Sequence, residues 1–352
     1  MRSFAVASAL LLTASLAACV EPGVGVQDRP RLIVLNKSEA SASIIDLEDP
    51  TRSGTIPVGA GPHEIAVLPN GDGGVVSNYG EQEPGHTLTL FAALSSVGFV
   101  RTIDLGEHRR PHGIQFLDSS HVVVTSEESR ALLLVDVLEG QVTRVMPTEQ
   151  EVSHMVVLTP DRARAFVANI GSGTVTALDM KSGAILKQIA TGKGSEGIDV
   201  TPDGREVWVC NRAADTLCVI DASKLEVVAT LPCAKFPIRI KTTPDGALAL
   251  VSCAQSGDVA VFDIAKRAEV RRISMGITAS ENVSDRLMSF GESPTPIGIL
   301  IRPDGKRAYI ANTNADIVTE LDLATWAIVS RIPTGKQPDG LGWCGVSVDR
   351  AR

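Results

Sequence analysis

The stretch PDRARAFVANIGSGTVTALDMKSGAILKQIATGKGSEGIDVTPDGREVWVCN, residues 160–211, holds one full period of an internal repeat and the start of the next. Its opening turn returns at a constant spacing, since the turn prolines are residues 160, 202 and 244. The members of the series are Pro69-Asn70-Gly71, Leu117-Asp118-Ser119 (degenerate), Pro160-Asp161-Arg162, Pro202-Asp203-Gly204, Pro244-Asp245-Gly246 and Pro303-Asp304-Gly305. Self-similarity at a fixed period of this length indicates a repeat architecture and outranks any local signal.

Each period contains four short segments with strand character. In the quoted stretch the turn is followed by Arg164–Asn169, Thr174–Asp179 and Ala184–Ala190, and a short apolar segment precedes each turn. Four short strands in a period of about 40–45 residues are typical of a β-propeller blade. The sequence therefore predicts an all-β protein, a seven-bladed β-propeller with four-stranded blades. The first strands are expected to start near Pro62, Pro111, Ser153, Ser195, Pro237, Pro296 and Pro338.

The two ends of the chain are expected to share one blade. The seventh unit has only its first strand, near Gly340–Val346, while Arg31–Ile56 contains strand segments without a first strand. A composite blade built from both termini would close the ring and remove the exposed edges of a linear array. We therefore predict one domain over residues 31–352.

The units resemble a known family. Phe166-Val167-Ala168-Asn169, Val207-Trp208-Val209-Cys210-Asn211 and Tyr309-Ile310-Ala311-Asn312 are similar to the YVTN-type propeller repeats, and among these to YncE-like proteins. The resemblance covers nearly all of residues 31–348 and implies the propeller fold. It leaves function open, because such repeats serve many roles.

The N-terminus has the features of an export signal. Residues 1–18 carry one cation, then an apolar run too short to remain as a membrane-spanning helix. Leu16-Ala17-Ala18-Cys19 resembles the bacterial lipobox, which implies cleavage before Cys19, a lipid on its thiol and a tether over residues 19–30. Val20 in place of Asp implies the periplasmic side of the outer membrane. The alternative is an ordinary signal peptide with an incidental cysteine.

The overall charge argues against one class of partner. The chain has 33 Lys and Arg against 41 Asp and Glu, a net charge of −8. An acidic chain without clustered cations disfavours nucleic acid, whose phosphates need such clusters. We expect a monomer with a small polar ligand or a protein partner.

One position in the aligned blades singles out a candidate site. The second residue of each first strand is His63, His112, His154, Glu196, Ile238, Ile297 or Asp339, and the third is Glu64, Gly113, Met155, Gly197, Arg239, Gly298 or Gly340. In propellers the starts of these strands surround one mouth of the central channel. Three of the six histidines therefore occupy equivalent places in consecutive blades.

These residues allow three interpretations. The first is a polar ligand pocket formed by His63, Glu64, His112, His154, Glu196, Arg239 and Asp339. The second is a divalent metal held by His63, His112, His154 and Glu196, since imidazole and carboxylate ligate such ions. The third is a structural feature of the repeat, because duplication copies residues without copying their purpose.

Other repeated or irregular features admit simpler explanations. Asparagines end five second strands, where the amide suits a tight turn; they are Asn36, Asn78, Asn169, Asn211 and Asn312. Two segments lengthen the period. Residues 277–294 are interpreted as a lid over the channel, and Tyr79–Thr87 is predicted to be a longer turn on the same face that contains His86. Of the five cysteines after Cys19, most are expected to be small buried residues.

The leading functional hypothesis is a lipid-anchored propeller of the cell envelope that binds a small polar ligand or a protein partner at its channel mouth. One alternative is a metal-dependent lactonase- or lyase-like propeller enzyme, and another is a structural scaffold. The sequence contains no Gly-x-Ser-x-Gly elbow, P-loop or Cys-x-x-Cys-His haem motif. No catalytic residue is therefore assigned.

Overall fold

A computed structural model of the chain describes residues 30–92, 99–277 and 290–345. The export signal, Cys19 and most of the tether lie outside the described residues, as do residues 278–289 of the longer insertion. Within the described ranges, no helix has both the length and the apolar character needed to cross a membrane.

The described chain forms seven four-stranded antiparallel sheets, which are the seven predicted blades. Blade 1 comprises β4 (Pro62–Val67), β5 (Gly73–Gly80), β6 (Pro84–Ala92) and β7 (Phe99–Asp104). Blade 2 comprises β8 (Pro111–Phe116), β9 (His121–Ser126), β10 (Ala131–Asp136) and β11 (Gln141–Pro147). Blade 3 comprises β12 (Ser153–Leu158), β13 (Arg164–Asn169), β14 (Thr174–Asp179) and β15 (Ile185–Ala190). Blade 4 comprises β16 (Ser195–Val200), β17 (Glu206–Asn211), β18 (Thr216–Asp221) and β19 (Glu226–Pro232).

The remaining blades follow the same order. Blade 5 comprises β20 (Pro237–Thr242), β21 (Leu248–Cys253), β22 (Asp258–Asp263) and β23 (Ala268–Ser274). Blade 6 comprises β24 (Pro296–Ile301), β25 (Arg307–Asn312), β26 (Ile317–Asp322) and β27 (Ile328–Pro333). Blade 7 comprises β28 (Pro338–Cys344), β1 (Arg31–Asn36), β2 (Ser41–Asp46) and β3 (Gly54–Pro57). Two short 3₁₀ helices, Lys37–Glu39 and Pro50–Arg52, flank β2.

The composite blade is confirmed. Its strand order is β28-β1-β2-β3, so the last strand of the chain pairs with the first. Leu32 lies opposite Trp343 and Ile33 opposite Gly342 in antiparallel register. The innermost strand of this blade therefore comes from one end of the chain and the outer three from the other.

The Pro-Asp turns that revealed the repeat have a common hydrogen-bond pattern. In blade 4 the Thr201 hydroxyl donates to the Asp203 carboxylate at 2.6 Å, and the Arg205 amide donates to the same oxygen at 3.0 Å. Gly204 completes the turn with φ of +73°, a conformation that glycine adopts without strain. The short Asp203 side chain stabilises the turn because it accepts a hydrogen bond from the backbone two residues further on.

The buried asparagines act as braces inside the blades, a structural role as expected, although they bond across to the third strand and none of the five has the left-handed backbone of a tight turn. Asn78 donates from Nδ2 to the hydroxyls of Thr87 and Thr89 on the neighbouring strand, both at 3.0 Å. Asn169 does the same to Thr174 and Thr176 at 3.2 and 2.9 Å. These amides are wholly buried, so they fix the second strand to the third and are not offered to the channel.

The shorter irregular segment differs from its prediction. Instead of a long turn over Tyr79–Thr87, β5 continues to Gly80 and β6 begins at Pro84, with Gly80 opposite Pro84. A Cβ at Gly85 would lie 2.0 Å from the Asn78 carbonyl oxygen, so glycine is what allows the two strands to stay paired there. His86 consequently belongs to β6 and bonds to Asp104 rather than to the channel site.

Candidate functional site at the channel mouth

The backbone presents the same position to the channel mouth in every blade. The residue before each innermost strand is left-handed, with φ between +55° and +74°. These residues are Gly61, Arg110, Val152, Gly194, Phe236, Thr295 and Gln337. Five of the seven are not glycine, so the surrounding structure stabilises a conformation that such residues rarely adopt.

A β-bulge follows at the start of each innermost strand. In β12, Ser153 pairs with Asn169 and Met155 with Ala168, so His154 is the additional residue. The same one-residue shift occurs in the first strands of the other six blades. Bulges redirect side chains at functional sites and rims. The second position is therefore directed by the backbone, whatever residue occupies it.

Glycine at the third position lets neighbouring blades approach closely. A Cβ at Gly298 would lie 2.0 Å from the Asp339 carbonyl oxygen, and one at Gly340 would lie 2.3 Å from that of His63. In both cases the contact is to the second-position residue of the next blade. Where the blades are spaced this tightly, second-position side chains of neighbouring blades can meet, as His63, His112, His154 and Glu196 do in succession.

On one side of the mouth these side chains form what we call the polar arc: His63, His112, His154, Glu196 and Asp339. The ring centroids of His63 and His112 lie 4.9 Å apart, and those of His112 and His154 only 3.6 Å apart. Tyr79 packs 4.5 Å from His63, and the Arg110 guanidinium lies 4.7 Å above the Tyr79 ring. The three imidazoles thus lie in contact in a row along the arc, with His63 edge-on to His112 and His112 tilted against His154.

His154 lies between two carboxylates. Its Nδ1 contacts Glu127, and its Nε2 lies 3.2 Å from Glu196 Oε1. Burial alone would lower the pKa of His154, but the charges of Glu127 and Glu196 and the hydrogen bonds to them outweigh it and raise that pKa. Glu127 also accepts from the Tyr79 hydroxyl at 2.7 Å. His154 is therefore a buried imidazolium fixed from both sides.

Glu196 and Arg239 continue the charged network into the channel. Arg239 donates to Glu196 at 2.9 Å and lies 3.0 Å from Glu64, a residue of the opposite part of the ring. Burial would raise the pKa of Glu196, but His154, Arg212 and Arg239 together lower it to about 2. For Glu64 burial outweighs Arg239, so its pKa is raised.

The other two histidines of the polar arc, His63 and His112, are uncharged at neutral pH. Burial, with the nearby charge of Lys37, lowers the pKa of His63 to about 3. Burial, with His154 and His63 close by, holds the pKa of His112 well below its ordinary value. Lys37 is itself buried and pairs with Asp339 at 2.8 Å. The arc therefore combines neutral imidazoles with charges that are already paired.

Three buried polar atoms of the arc make no hydrogen bond, and one of them, Glu196 Oε2, is ion-paired with Arg212. The other two, His112 Nδ1 and Asp339 Oδ1, have no partner. Both side chains are only 1% exposed. Nearly all buried polar atoms in native proteins are paired, so each such atom calls for an explanation. Both belong to second-position residues.

The other side of the mouth, the apolar arc, consists of Ile238 and Ile297. They cluster with Ala254, Phe236 and Phe290, and the rings of the two phenylalanines lie 4.9 Å apart. Phe290 is the first described residue after the segment 278–289. The C-terminal end of the long insertion therefore lies against the apolar arc, while the lid interpretation stays a prediction.

Below the network the channel contains a cavity of about 420 Å³. Glu64 and Arg239 line it, as do Arg162 of a repeat turn and Trp343 near the far end of β28. The ion-paired network is thus shared between the mouth and the lower channel.

All seven residues of the predicted ligand site lie around the channel, and six of them, His63, Glu64, His112, His154, Glu196 and Arg239, form one contiguous set. Asp339 pairs with Lys37, and the charges of both act on the pKa of His63. The sequence did not single out Lys37, Tyr79, Glu127 or Arg212. None stands at the second or third position of an innermost strand, so the blade alignment carried no signal for them.

The predicted metal quartet comes together, but as a row of three rings in contact that ends at Glu196. Across the described part of the chain, no group of three or more His, Cys, Asp or Glu side chains is placed to hold a metal ion. His154 already has a carboxylate at each ring nitrogen. The geometry gives the metal interpretation no support.

Comparison with known proteins agrees on the fold. Residues 118–285 match the model of the YncE-like β-propeller family. No curated protein matches the sequence. A protein of unknown function from Desulfotomaculum acetoxidans superposes with a TM-score of 0.73 at 13% identity, over 90% of this chain and 99% of that one. A proposed 6-phosphogluconolactonase from Bacteroides fragilis superposes with a TM-score of 0.68 at 14% identity, over 91% and 99%. Likeness at such identities establishes the fold alone.

Proposed function

We propose that this chain, a β-propeller of the YncE-like type, binds a small polar ligand at the polar arc of its channel mouth. The observation that carries the proposal is the pair of buried, unpartnered atoms, His112 Nδ1 and Asp339 Oδ1. A buried polar atom without a partner is costly by about 1–3 kcal/mol. A ligand that satisfies both atoms would remove that cost.

The chemistry of the arc favours an uncharged ligand rich in hydroxyl groups. A neutral imidazole such as that of His112 can donate or accept, whereas the Asp339 carboxylate only accepts. Hydroxyl groups match both, since each can donate and accept. The charged groups nearby are already neutralised by one another, as Lys37 is by Asp339 and Arg239 by Glu64 and Glu196. An additional ionic ligand would have to compete with these pairs.

Calorimetric titration with a panel of polyols and sugars, namely glycerol, myo-inositol and glucose, tests the proposal. We expect at least one to bind wild-type protein saturably and His112→Phe at least tenfold more weakly, because phenylalanine keeps an aromatic ring but has neither ring nitrogen, and so lacks Nδ1. Ile297→Val, on the apolar arc, is the matched control and should bind like wild type. Equal affinity in wild type and His112→Phe, or no saturable binding by any of the three, would refute the proposal.

We also propose that the propeller is tethered at the periplasmic face of the outer membrane by a lipid on Cys19. The support is the sequence Leu16-Ala17-Ala18-Cys19, which is similar to the lipobox. Two or more acyl chains anchor a protein stably, whereas one does so only marginally. Cys19→Ser should move the protein from the membrane fraction to the soluble fraction or block its maturation. An unchanged membrane fraction would contradict the tether.

A further inference from the structure

Two cysteines from different parts of the repeat meet beside the apolar arc. Cys233 lies in the crossover between β19 and β20, and Cys253 ends β21. Their sulfur atoms are 3.8 Å apart, and both residues are buried. The Cys233 amide donates to the Asp215 carbonyl of blade 4 at 2.9 Å, whereas Cys253 is part of the blade 5 sheet. The pair therefore lies between the crossover, which is hydrogen-bonded to blade 4, and the sheet of blade 5.

The equivalent positions of blade 4 explain what the pair replaces. Cys253 stands where Asn211 stands in blade 4, at the end of the second strand. Cys233 stands four residues before its innermost strand, as does Thr191 in blade 4. There the Asn211 amide donates to the Thr191 carbonyl at 3.2 Å and ties the crossover to the blade. Blade 5 has no asparagine at this place.

We propose that Cys233 and Cys253 form a disulfide bond that ties the crossover to blade 5 covalently, where blade 4 uses a hydrogen-bonded asparagine. Bond formation requires the sulfurs to approach from 3.8 Å to about 2.05 Å. Each thiol loses its hydrogen, and the two protons and two electrons pass to a disulfide-bearing oxidant such as oxidised glutathione, which becomes two thiols. The crossover so fixed carries Phe236, a wall of the apolar arc.

The other described cysteines have different surroundings. Cys218 fills a place equivalent to Thr176: its sulfur donates to the Thr191 carbonyl at 2.9 Å and accepts from Asn211. Cys344 is buried in a separate cluster, near the Gly73 carbonyl. Cys210 lies in the same apolar cluster as the pair, so it is the rival partner that the experiment has to exclude.

Burial determines when the bond can form. The neighbouring Cys233 and burial together raise the pKa of Cys253, so in the folded protein its thiolate, the attacking species, is scarce. Oxidation should therefore occur during folding, before the crossover closes over the two thiols. Once formed, the bond should resist reductant until the protein unfolds.

The full chain, unfolded in denaturant and refolded with oxidised glutathione or with excess reductant, provides the test. Peptide mapping without reduction should show one linked pair containing Cys233 and Cys253 after oxidative refolding. The oxidised protein should also unfold at a higher urea concentration than the reduced protein. Cys233→Ala should remove that difference, whereas Cys344→Ala, the matched buried control, should keep it.

Mapping of the wild-type chain decides the question even where a variant fails to fold. A linkage of Cys253 to Cys210, or free thiols at both Cys233 and Cys253 after oxidative refolding, would overturn the proposal.

Discussion

The polar arc and the apolar arc are built on the same backbone. In both arcs a left-handed residue comes before the innermost strand, and a β-bulge lies at the start of that strand. The backbone therefore gives the second residue of the strand the same position in every blade. His154 and Ile238 therefore differ in side chain but not in placement. The repeat supplies seven equivalent backbone positions, and the residue at each position determines the chemistry of the mouth.

The two arcs are stabilised by different forces. Ile238 and Ile297 gain from burial alone, about 1.5–3 kcal/mol for a fully buried side chain, and need no partner. Glu196 and His154 are buried only at the cost of desolvation, which their mutual pairing has to offset. The polar arc is therefore the more fragile side, and substitutions there should have the larger effects.

Removing the central carboxylate should have the largest effect. Glu196→Leu leaves Arg239 and the His154 imidazolium buried without their shared anion, and should reduce the free energy of unfolding by about 3–5 kcal/mol. Urea unfolding measures it. Glu226→Leu, which breaks the exposed pair with Lys187, is the control and should change stability by less than about 1 kcal/mol. Similar losses in the two variants would show that the network is not stabilising.

The histidines should give stability a maximum near pH 6.5. His63 and His112 have folded pKa values below those of the unfolded chain, so their contribution is lost as the pH falls below about 6.5. His154 has a folded pKa above that of the unfolded chain, so its contribution to stability is lost as the pH rises from about 6.5 through the raised pKa. Between pH 6 and 5 two protons are bound on unfolding, and stability should fall by up to about 2.7 kcal/mol.

Urea unfolding from pH 5 to 8 checks this dependence. In His112→Phe the slope on the acid side should fall to about half, because one of the two depressed histidines is gone. A wild-type stability that rises as the pH falls from 6 to 5 would contradict the assignment of neutral His63 and His112.

The apolar arc should show the smallest effect. Ile297→Val removes one methyl group from a cluster of uncharged side chains and should cost about 0.5–1.5 kcal/mol, independent of pH between 5 and 8. Urea unfolding at both ends of that range measures it. A loss larger than that of Glu196→Leu would reverse the order of the two arcs.

The fold could be predicted from the sequence because a propeller repeats its own signals. The turn at Pro202-Asp203-Gly204 and the strand ending at Asn211 recur in other blades, so the period and the composite closure follow from alignment alone. The same alignment placed His63, His112, His154 and Glu196 in neighbouring positions.

The contacts between blades could not be predicted from the sequence. Glu127 reaches His154 of the next blade, and Glu64 reaches Arg239 from far along the chain, and neither pairing leaves a spacing in the sequence. The predicted metal ligands form a row because the rings of His112 and His154 pack against each other, with centroids 3.6 Å apart, instead of converging on a common centre. The extent of β5 and β6 was likewise decided by a close approach at Gly85.

The ion pair between Lys37 and Asp339 joins the first strands of the chain to its last one. During synthesis Lys37 emerges early, and the carboxylate that pairs with it becomes available only when β28, the last strand of the described chain, has been made and docked. The polar arc is therefore assembled only after synthesis has passed Asp339. Ligand binding at this arc would accordingly show that a chain contains both Lys37 and Asp339, and a product truncated before Asp339 would give no binding in such an assay.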